Sequence, residues 1–266
     1  HTRSRIKTVG SSKTLDASCT RTTTWIIQIF RRMIEKKWGM DIDARDDEGG
    51  EEQDIAAADV QDLLNDHGVT GRCLDLIVVG IHDALQQAAA HLCIAPLFKE
   101  GGHDAVQDRM FQHLNSGSTD LFFEEIKEML RKITEYYTYT DELPLSEDPD
   151  NPPDPDIDLH VIRFLQLMCE GHFEKNQDIM REQPNNATTV NLLEPFVALP
   201  RATSERPCRS ATKAANAISA TILEVIQGPC VKNQEHFALQ TELCEIQSRI
   251  LRSTPKRDCI ADEDDE

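Results

Sequence analysis

The sequence predicts an all-α protein in which antiparallel helices stack as an armadillo-like solenoid or bundle. From residue 55 onward, apolar residues recur at intervals of three and four, the spacing of helices with one buried face. No segment alternates apolar and polar residues over the length of a strand. Glycine, proline and acidic tracts interrupt the apolar stretches. They divide the 266 residues into two helical subdomains, with about eight to ten helices in all.

The charge balance is acidic and narrows the classes of partner. The chain carries 28 lysines and arginines against 47 aspartates and glutamates, a net charge of −19. Phosphate recognition needs clustered basic side chains, so neither nucleic acid nor an anionic membrane surface is expected as a partner. Much of the acid is concentrated, with eleven acidic residues in 41–66 and eight in 141–158. We therefore expect the folded helices to be only mildly acidic.

The sequence lacks the motifs of enzymes and of membrane spans. It contains no P-loop, nucleophile elbow or dinucleotide fingerprint, so we expect neither an enzyme nor a cofactor within this chain. Its apolar runs fall short of the roughly 20 residues of a transmembrane helix. Eight irregularly spaced cysteines without a C-x-x-C pair favour buried, reduced thiols in a cytosolic protein. The chain begins at His1, which favours a fragment or a processed product.

Residues 1–54 are predicted to be a mostly disordered leader, basic and then acidic, with one amphipathic helix near 24–38. Trp25, Ile26, Ile29 and Phe30 recur at helical spacing beside basic residues. Basic amphipathic helices are typical of calmodulin targets and membrane-surface segments, and the alternative is that this one packs on the helices that follow. The acidic stretch 41–54 is interpreted as a solvated linker and not as an EF-hand.

The first helical subdomain is predicted over residues 55–140. Its first helix stops at Gly68, and a second helical region over 74–92 is ended by Pro96. A Gly-Gly pair precedes a third helix that begins near Val106. The dipeptide Thr119-Asp120 is predicted to cap a fourth helix that continues through 133.

An acidic, proline-rich linker at 141–156 precedes the second helical domain, 157–252, and an acidic tail covers 253–266. The linker cannot bury enough apolar surface to offset its ordering entropy. The domain should open with an apolar helix capped by Asp156 or Asp158 and stopped by Gly171. The remaining predicted segments are a short helix at 188–199, a loop at 200–209, a helix at 211–227 stopped by Gly228-Pro229, and a helix at 231–252.

Two stretches of this second domain resemble the inositol trisphosphate receptors and ryanodine receptors, the intracellular calcium-release channels. RFLQLMCEGH at 163–172, with REQPNN and TTVNLL following, is similar to one signature of the family's RIH-associated segment. ILEVIQGPCVKNQ at 222–234 is similar to a second signature. The resemblance extends more loosely from residue 55, through NDHGVTGRCLDLI, EGGHDAVQDRMFQHL and DLFFEEIKEML. It departs from the family at Pro195, which should shorten or kink its helix.

The resemblance implies one metal-binding residue, Glu224. The acidic residue at this position contributes to the activating calcium site in the family, with the remaining ligands outside this chain. Glu224 lies in the last turn of its predicted helix, where the helix dipole disfavours an anion and free carbonyl groups could join a calcium ion. The alternative is that Glu224 is simply an exposed helical residue. Zinc binding by Cys169 and His172, or by Cys230 and His236, is a further alternative, and it is disfavoured because neither pair has a C-x-x-C or H-x-x-x-H partner.

The resemblance also implies a function. We expect a cytosolic regulatory or coupling segment of a ligand-gated calcium channel at the endoplasmic or sarcoplasmic reticulum, with calcium regulating the full-length parent. Its partners would be other domains and subunits of that channel. The alternative is a non-enzymatic helical scaffold or protein-interaction module of the same ancestry, without any ion function.

Overall fold

The computed structural model describes residues 25–26, 28–30, 32, 60–78, 83–97, 99, 101–117, 119–139, 156–205 and 209–252. Its regular elements are helices, which confirms the predicted all-α class. The helices numbered here are α1 (60–66), α2 (Val69–Val78), α3 (Asp83–Leu97), α4 (Asp104–Leu114), α5 (Asp120–Tyr139), α6 (Asp156–Cys169), α7 (Glu174–Arg181), α8 (Leu193–Glu205), α9 (Arg209–Ile226), α10 (Val231–Leu239) and α11 (Leu243–Arg252). None of these described helices combines the length and apolar composition needed to cross a bilayer.

The predicted leader, linker and tail fall largely outside the described residues. Positions 25–26, 28–30 and 32 are helical, as predicted for the segment near 24–38. The acidic stretches 41–54 and 253–266 lie outside the described part. So does the linker 141–156, except for Asp156, where α6 begins.

The helical region predicted over 74–92 consists of two helices, α2 and α3. The second of them runs through Pro96 to Leu97, so the prediction that Pro96 ends it is wrong. A proline in the last turn removes only one backbone hydrogen bond. Residues 92–95 and Leu97 are completely buried, and this apolar face continues the helix past the proline.

The helix predicted at 188–199 begins later and extends further, as α8. Pro195 is the third residue of α8, where the missing N–H would have had no helical partner, so the proline does not shorten the helix. Pro200 lies inside α8, and residues 200–205 are helical where a loop was predicted. Thr203 donates its hydroxyl to the carbonyl of Leu199 at 3.2 Å, within the same buried face.

The single helix predicted at 231–252 is broken at Thr241 into α10 and α11. The Thr241 hydroxyl donates to Phe237 O at 2.8 Å. The hydroxyl oxygen, Thr241 Oγ1, also accepts a hydrogen bond from the backbone N–H of Leu243 at 3.3 Å. One hydroxyl thus closes α10 and caps α11. Helix α7 had no counterpart in the predicted elements.

One hydrophobic cluster extends from Leu64 to Ile246 and joins residues of both predicted subdomains. At its centre α6 packs against α3 on one side and α9 on the other. Helix α8 packs against α5, α9 and α11. Phe122 of α5 meets Phe164 of α6 edge to face at 6.4 Å between ring centroids. The division of the chain into two subdomains stays a prediction.

Candidate functional site at the junction of the two signatures

The two sequence signatures meet where the C-terminal ends of α6 and α9 approach each other. His172 Nε2 lies 2.8 Å from Gln227 Oε1, across 55 residues of sequence. A Cβ atom placed on Gly228 would lie 3.1 Å from His172 Cβ. The first signature therefore contacts the second directly. We call this region the signature junction. It consists of the turns at 170–172 and 227–230 and of the amide side chains that bond to the helix ends there, Gln107, Asn176, Gln177, Asn233 and Gln234.

Both turns of the signature junction use glycine because the backbone enters the left-handed region. Gly171 has φ +71° and Gly228 has φ +72°. A Cβ at Gly171 would overlap the carbonyl oxygen of Gly101, so no side chain fits there. His172 follows with φ +62°, a rare conformation for a residue with a side chain. The predicted stops of α6 and α9 are confirmed as glycine-dependent C-terminal turns.

The last carbonyl groups of α9 accept hydrogen bonds from buried and exposed amide side chains. Gln177 on α7 donates from Nε2 to Glu224 O at 2.7 Å and to Gln227 O at 2.9 Å. Two amides of α10 complete the set: Asn233 donates to Val225 O at 3.2 Å, and Gln234 donates to Ile226 O at 2.8 Å. The sequence-based argument for a calcium ligand expects free carbonyl groups at this helix end. The structure shows instead that these four carbonyl groups already accept hydrogen bonds.

The amides that hold the end of α9 are also linked to each other. Asn233 donates from Nδ2 to the backbone oxygen of Gln177 at 2.8 Å, and both side chains are fully buried. The Arg181 guanidinium donates to Asn233 Oδ1 and, at 2.7 Å, to Asp178. Helices α7, α9 and α10 are thus joined by side-chain hydrogen bonds as well as by apolar contact.

The end of α6 is held in the same way, by an amide from the first half of the chain. Gln107 on α4 is fully buried and donates from Nε2 to Leu167 O, Met168 O and Glu170 O at 3.1, 3.2 and 2.8 Å. Asn176 on α7 donates to the same Met168 oxygen at 2.8 Å. Residues before the acidic linker therefore complete the helix ends of the signature junction.

Glu224 lies in the last turn of α9, at the edge of the signature junction, with its side chain partly buried. This burial raises the pKa of the Glu224 carboxyl, while His172 and Arg163 favour its ionised form. The described residues hold no group of three or more His, Cys, Asp and Glu side chains that could bind a metal ion. A single carboxylate supplies at most two of the six to eight oxygens that calcium takes. Glu224 as a partial calcium site stays a prediction.

The cysteine and histidine pairs considered for zinc have other roles in the described structure. Cys169 is completely buried at the end of α6, where burial raises the pKa of its thiol, while the His172 ring points to Gln227. Cys230 is buried beside Arg181, whose side chain hydrogen-bonds to it. Both thiols occupy small buried positions, as predicted for structural cysteines.

Sequence reasoning found the glycines of the signature junction but missed its amides. Asn176, Asn233 and Gln234 follow a helix stop by five to six residues, which places them on the next helix, where they donate to carbonyl groups at the end of the helix before it. The order of apolar helix, glycine and then an Asn-Gln pair occurs twice, with Asn176-Gln177 after Gly171 and Asn233-Gln234 after Gly228. It is a usable signal for helices whose ends are capped by a neighbour.

A comparison with protein families gives the same result as these motifs. Residues 154–251 match the family model described as RyR and IP3R Homology associated. The match begins two residues before α6 and ends one residue before the end of α11, so it contains both signatures and the signature junction. Residues 154–251 thus match an RIH-associated domain, a domain described from ryanodine receptors and inositol trisphosphate receptors, and this match supports the family resemblance of the two signatures.

Proposed function

We propose that this chain is a regulatory and coupling segment of an intracellular calcium-release channel. It would act on the cytosolic side of the endoplasmic or sarcoplasmic reticulum and transmit ligand and calcium signals to the pore. The match of residues 154–251 to the channel family carries this proposal. Its partners would be other domains and subunits of the same channel.

The described structure supports a coupling role through its continuity. A segment that transmits displacement must move as one body, because loose joints absorb motion. The cluster from Leu64 to Ile246 is continuous, and Gln107 ties the first half of the chain to the end of α6. Lys127 of α5 and Glu194 of α8 add a cross-link at the surface, 3.4 Å apart. Such packing suits a rigid transmitting element.

Glu224 is the residue through which calcium would act on this segment. Its carboxylate is partly buried at the end of α9, where the helix dipole and the burial both disfavour the ionised form. A divalent cation that also bound ligands from the rest of the channel would offset the free-energy cost of ionising Glu224 here. A displacement of Glu224 on binding the cation would be transmitted to the signature junction, because Gln177 donates a hydrogen bond to the backbone oxygen of Glu224.

Calcium titration of the full-length parent channel tests this role. Glu224→Gln should raise the calcium concentration needed for opening, because the charge is lost and the shape is kept. Glu235→Gln, the same change at an exposed position of α10, is the matched control and should leave the dose response unchanged. An unchanged dose response for Glu224→Gln removes the calcium-sensing role. Equal shifts in both variants would indicate a nonspecific charge effect.

The competing function is a helical scaffold without an ion role. It would use the same fold as an interaction surface, and the described residues alone do not assemble a calcium site. The transcript separates the two functions: the coupling proposal requires that the reading frame continue beyond Glu266 into hydrophobic pore helices. A stop codon at that point would favour the scaffold.

Calmodulin is a second candidate partner, at the helical positions near 24–38. Trp25, Ile26 and Ile29 are exposed by 61%, 47% and 57% of their surface, an apolar face next to the exposed Arg32. Phe30 packs against the core and favours the alternative, in which this helix rests on its neighbours. Adding calcium-loaded calmodulin should shift the fluorescence of Trp25 if the exposed face binds it. No shift, with or without calcium, would exclude this partner.

A further inference from the structure

Two buried thiols from different helices contact each other in the first half of the chain. Cys73 on α2 is 3% exposed, and Cys93 on α3 is 1% exposed. Their side chains are joined by a hydrogen bond. Helices α2 and α3 are directly packed, so the contact is part of the core and not a chance approach of two surface residues.

The environment of the pair is apolar, and both cysteines are free thiols. Leu74, Ile77 and Leu92, all buried, belong to the same core cluster. Burial and the neighbouring thiol raise the pKa of Cys93. Of the other described cysteines, Cys169 and Cys230 influence each other electrostatically without a thiol–thiol hydrogen bond, and Cys244 is exposed. Cys73 and Cys93 are therefore set apart by direct contact.

We propose that Cys73 and Cys93 form a reversible intramolecular disulfide when the chain meets a low-molecular-weight disulfide such as oxidised glutathione. One thiolate attacks the oxidant, forms a mixed disulfide and releases one thiol. The second cysteine attacks the mixed disulfide, closes the Cys73–Cys93 bond and releases the second thiol. Two electrons and two protons pass from the pair to the oxidant, and a reducing thiol reverses the reaction.

The second step of this exchange is favoured by geometry. The two thiols are joined by a hydrogen bond, so the second cysteine lies close to the mixed disulfide that it must attack. The first step is slow, because both sulfurs are buried and a thiolate must form during local opening of α2 or α3. The pair therefore responds slowly to a change in the ratio of thiol to disulfide around the protein.

The disulfide would lock a joint on which other described contacts depend. Gln61 of α1 donates to Ala95 O of α3 at 2.8 Å, and His113 of α4 pairs with Asp75 of α2 at 2.9 Å. Helices α1 and α4 are thus attached to the pair α2–α3 on either side. Oxidation would covalently fix the first half of the chain against opening. This inference is independent of the proposed channel function.

The experiment uses the whole chain incubated with oxidised glutathione, then alkylated and digested for mass spectrometry. We expect a peptide pair joined through Cys73 and Cys93, with a mass about 2 Da below the sum of the reduced peptides, because two thiols lose two hydrogens. Dithiothreitol should reverse the change. Formation should accelerate with pH and with sub-denaturing urea, because both increase the exposed thiolate.

Variants identify the pair. Cys73→Ser and Cys93→Ala should each abolish the joined peptide and leave a stable mixed glutathione adduct on the remaining cysteine. Cys169→Ala removes an equally buried thiol and should leave the Cys73–Cys93 product unchanged. The inference is overturned if Cys73 and Cys93 are recovered fully alkylated from the wild-type chain, or if either is joined to a different cysteine. The wild-type peptide map decides the matter even if a variant fails to fold.

Discussion

Gln177 offers the sharpest test of the signature junction, through its replacement by methionine. Methionine has nearly the length and volume of glutamine but cannot donate a hydrogen bond. The side chain of Gln177 is fully buried and donates to two carbonyl groups at the end of α9, those of Glu224 and Gln227. The substitution therefore leaves two acceptors without their donor while it keeps the size of the side chain.

The magnitude follows from the number and burial of these acceptors. A buried polar group left without its partner costs about 1–3 kcal/mol. Both contacts of Gln177 are only partly buried, so we take the lower half of that range for each carbonyl. The free energy of unfolding should fall by about 2–4 kcal/mol for the two carbonyls together.

Gln234 provides a matched control at the same helix end. It also donates to two carbonyls, those of Ile226 and Gly228 at 2.8 and 3.0 Å, but its side chain and both contacts are exposed to solvent. Water can replace an exposed donor, so Gln234→Met should cost about 0–1 kcal/mol.

Urea denaturation followed by circular dichroism measures both variants. Gln177→Met should lower the midpoint clearly more than Gln234→Met, with unchanged slopes. Equal losses in the two variants would refute the reasoning that burial of the amide determines the strength of the junction. A loss of stability confined to Gln234→Met would contradict the inference that Gln177 contributes more stability to this helix end than Gln234 does.

Two further predictions concern backbone and charge. Gly171→Ala should cost more than about 3 kcal/mol by thermal unfolding, because it combines positive φ with overlap onto Gly101; Gly68→Ala, with φ +75° in open space, should cost only about 1–2 kcal/mol. Equal costs would refute the steric argument. Burial lowers the pKa of His103, so the folded state favours neutral imidazole, and stability should fall as the pH drops below about 6.5, where the unfolded chain takes up the proton. His103→Gln should flatten urea-unfolding stability between pH 7 and 5. Asp62→Asn, which removes the carboxylate 3.5 Å from Nε2, should steepen it; a wild-type stability that rises towards low pH would contradict the sign.

Local signals in the sequence located several helix ends correctly. Gly68 and Gly228 each follow a helix and adopt positive φ, and this requirement is written in the residue type itself. Thr119 was predicted to cap α5, and α5 does begin at the next residue, with Phe122 N–H bonded to Thr119 O. Its hydroxyl, however, donates to Leu114 O at 2.5 Å instead of accepting from the helix. The position was predictable, and the hydrogen bond was not.

The errors arose where tertiary burial outweighs a local rule. Prolines 96 and 200 are helix breakers by propensity, yet each lies in a face so buried that continuing the helix is favoured. The break at Thr241 depends on one hydroxyl bonded to both neighbouring helices, which spacing alone does not reveal. These three positions explain why α3 and α8 extend past their predicted ends and why one predicted helix is the two helices α10 and α11.

The candidate site was predictable in part for a different reason. Glu224 and the glycines came from a linear motif, which a single sequence displays. Gln107 lies 63 residues from Glu170, whose carbonyl it holds, and only the folded chain brings them together. Hydrogen bonds between side chains and distant backbone groups leave no local pattern in the sequence. The amides that bond to the helix ends of the signature junction therefore could not be predicted from the sequence.

The amides that close α6 and α9 have a consequence for the conditions under which the junction works. Gln107, Asn176, Gln177 and Asn233 carry no net charge, so they neither titrate nor attract counterions. Salt bridges between the same helices would weaken as ionic strength rises and would compete for divalent cations. The hydrogen bonds that these four amides donate therefore keep their strength when pH, salt or calcium changes. Glu224, at the edge of the junction, can respond to ions, while the amides that bond to the ends of α6 and α9 do not.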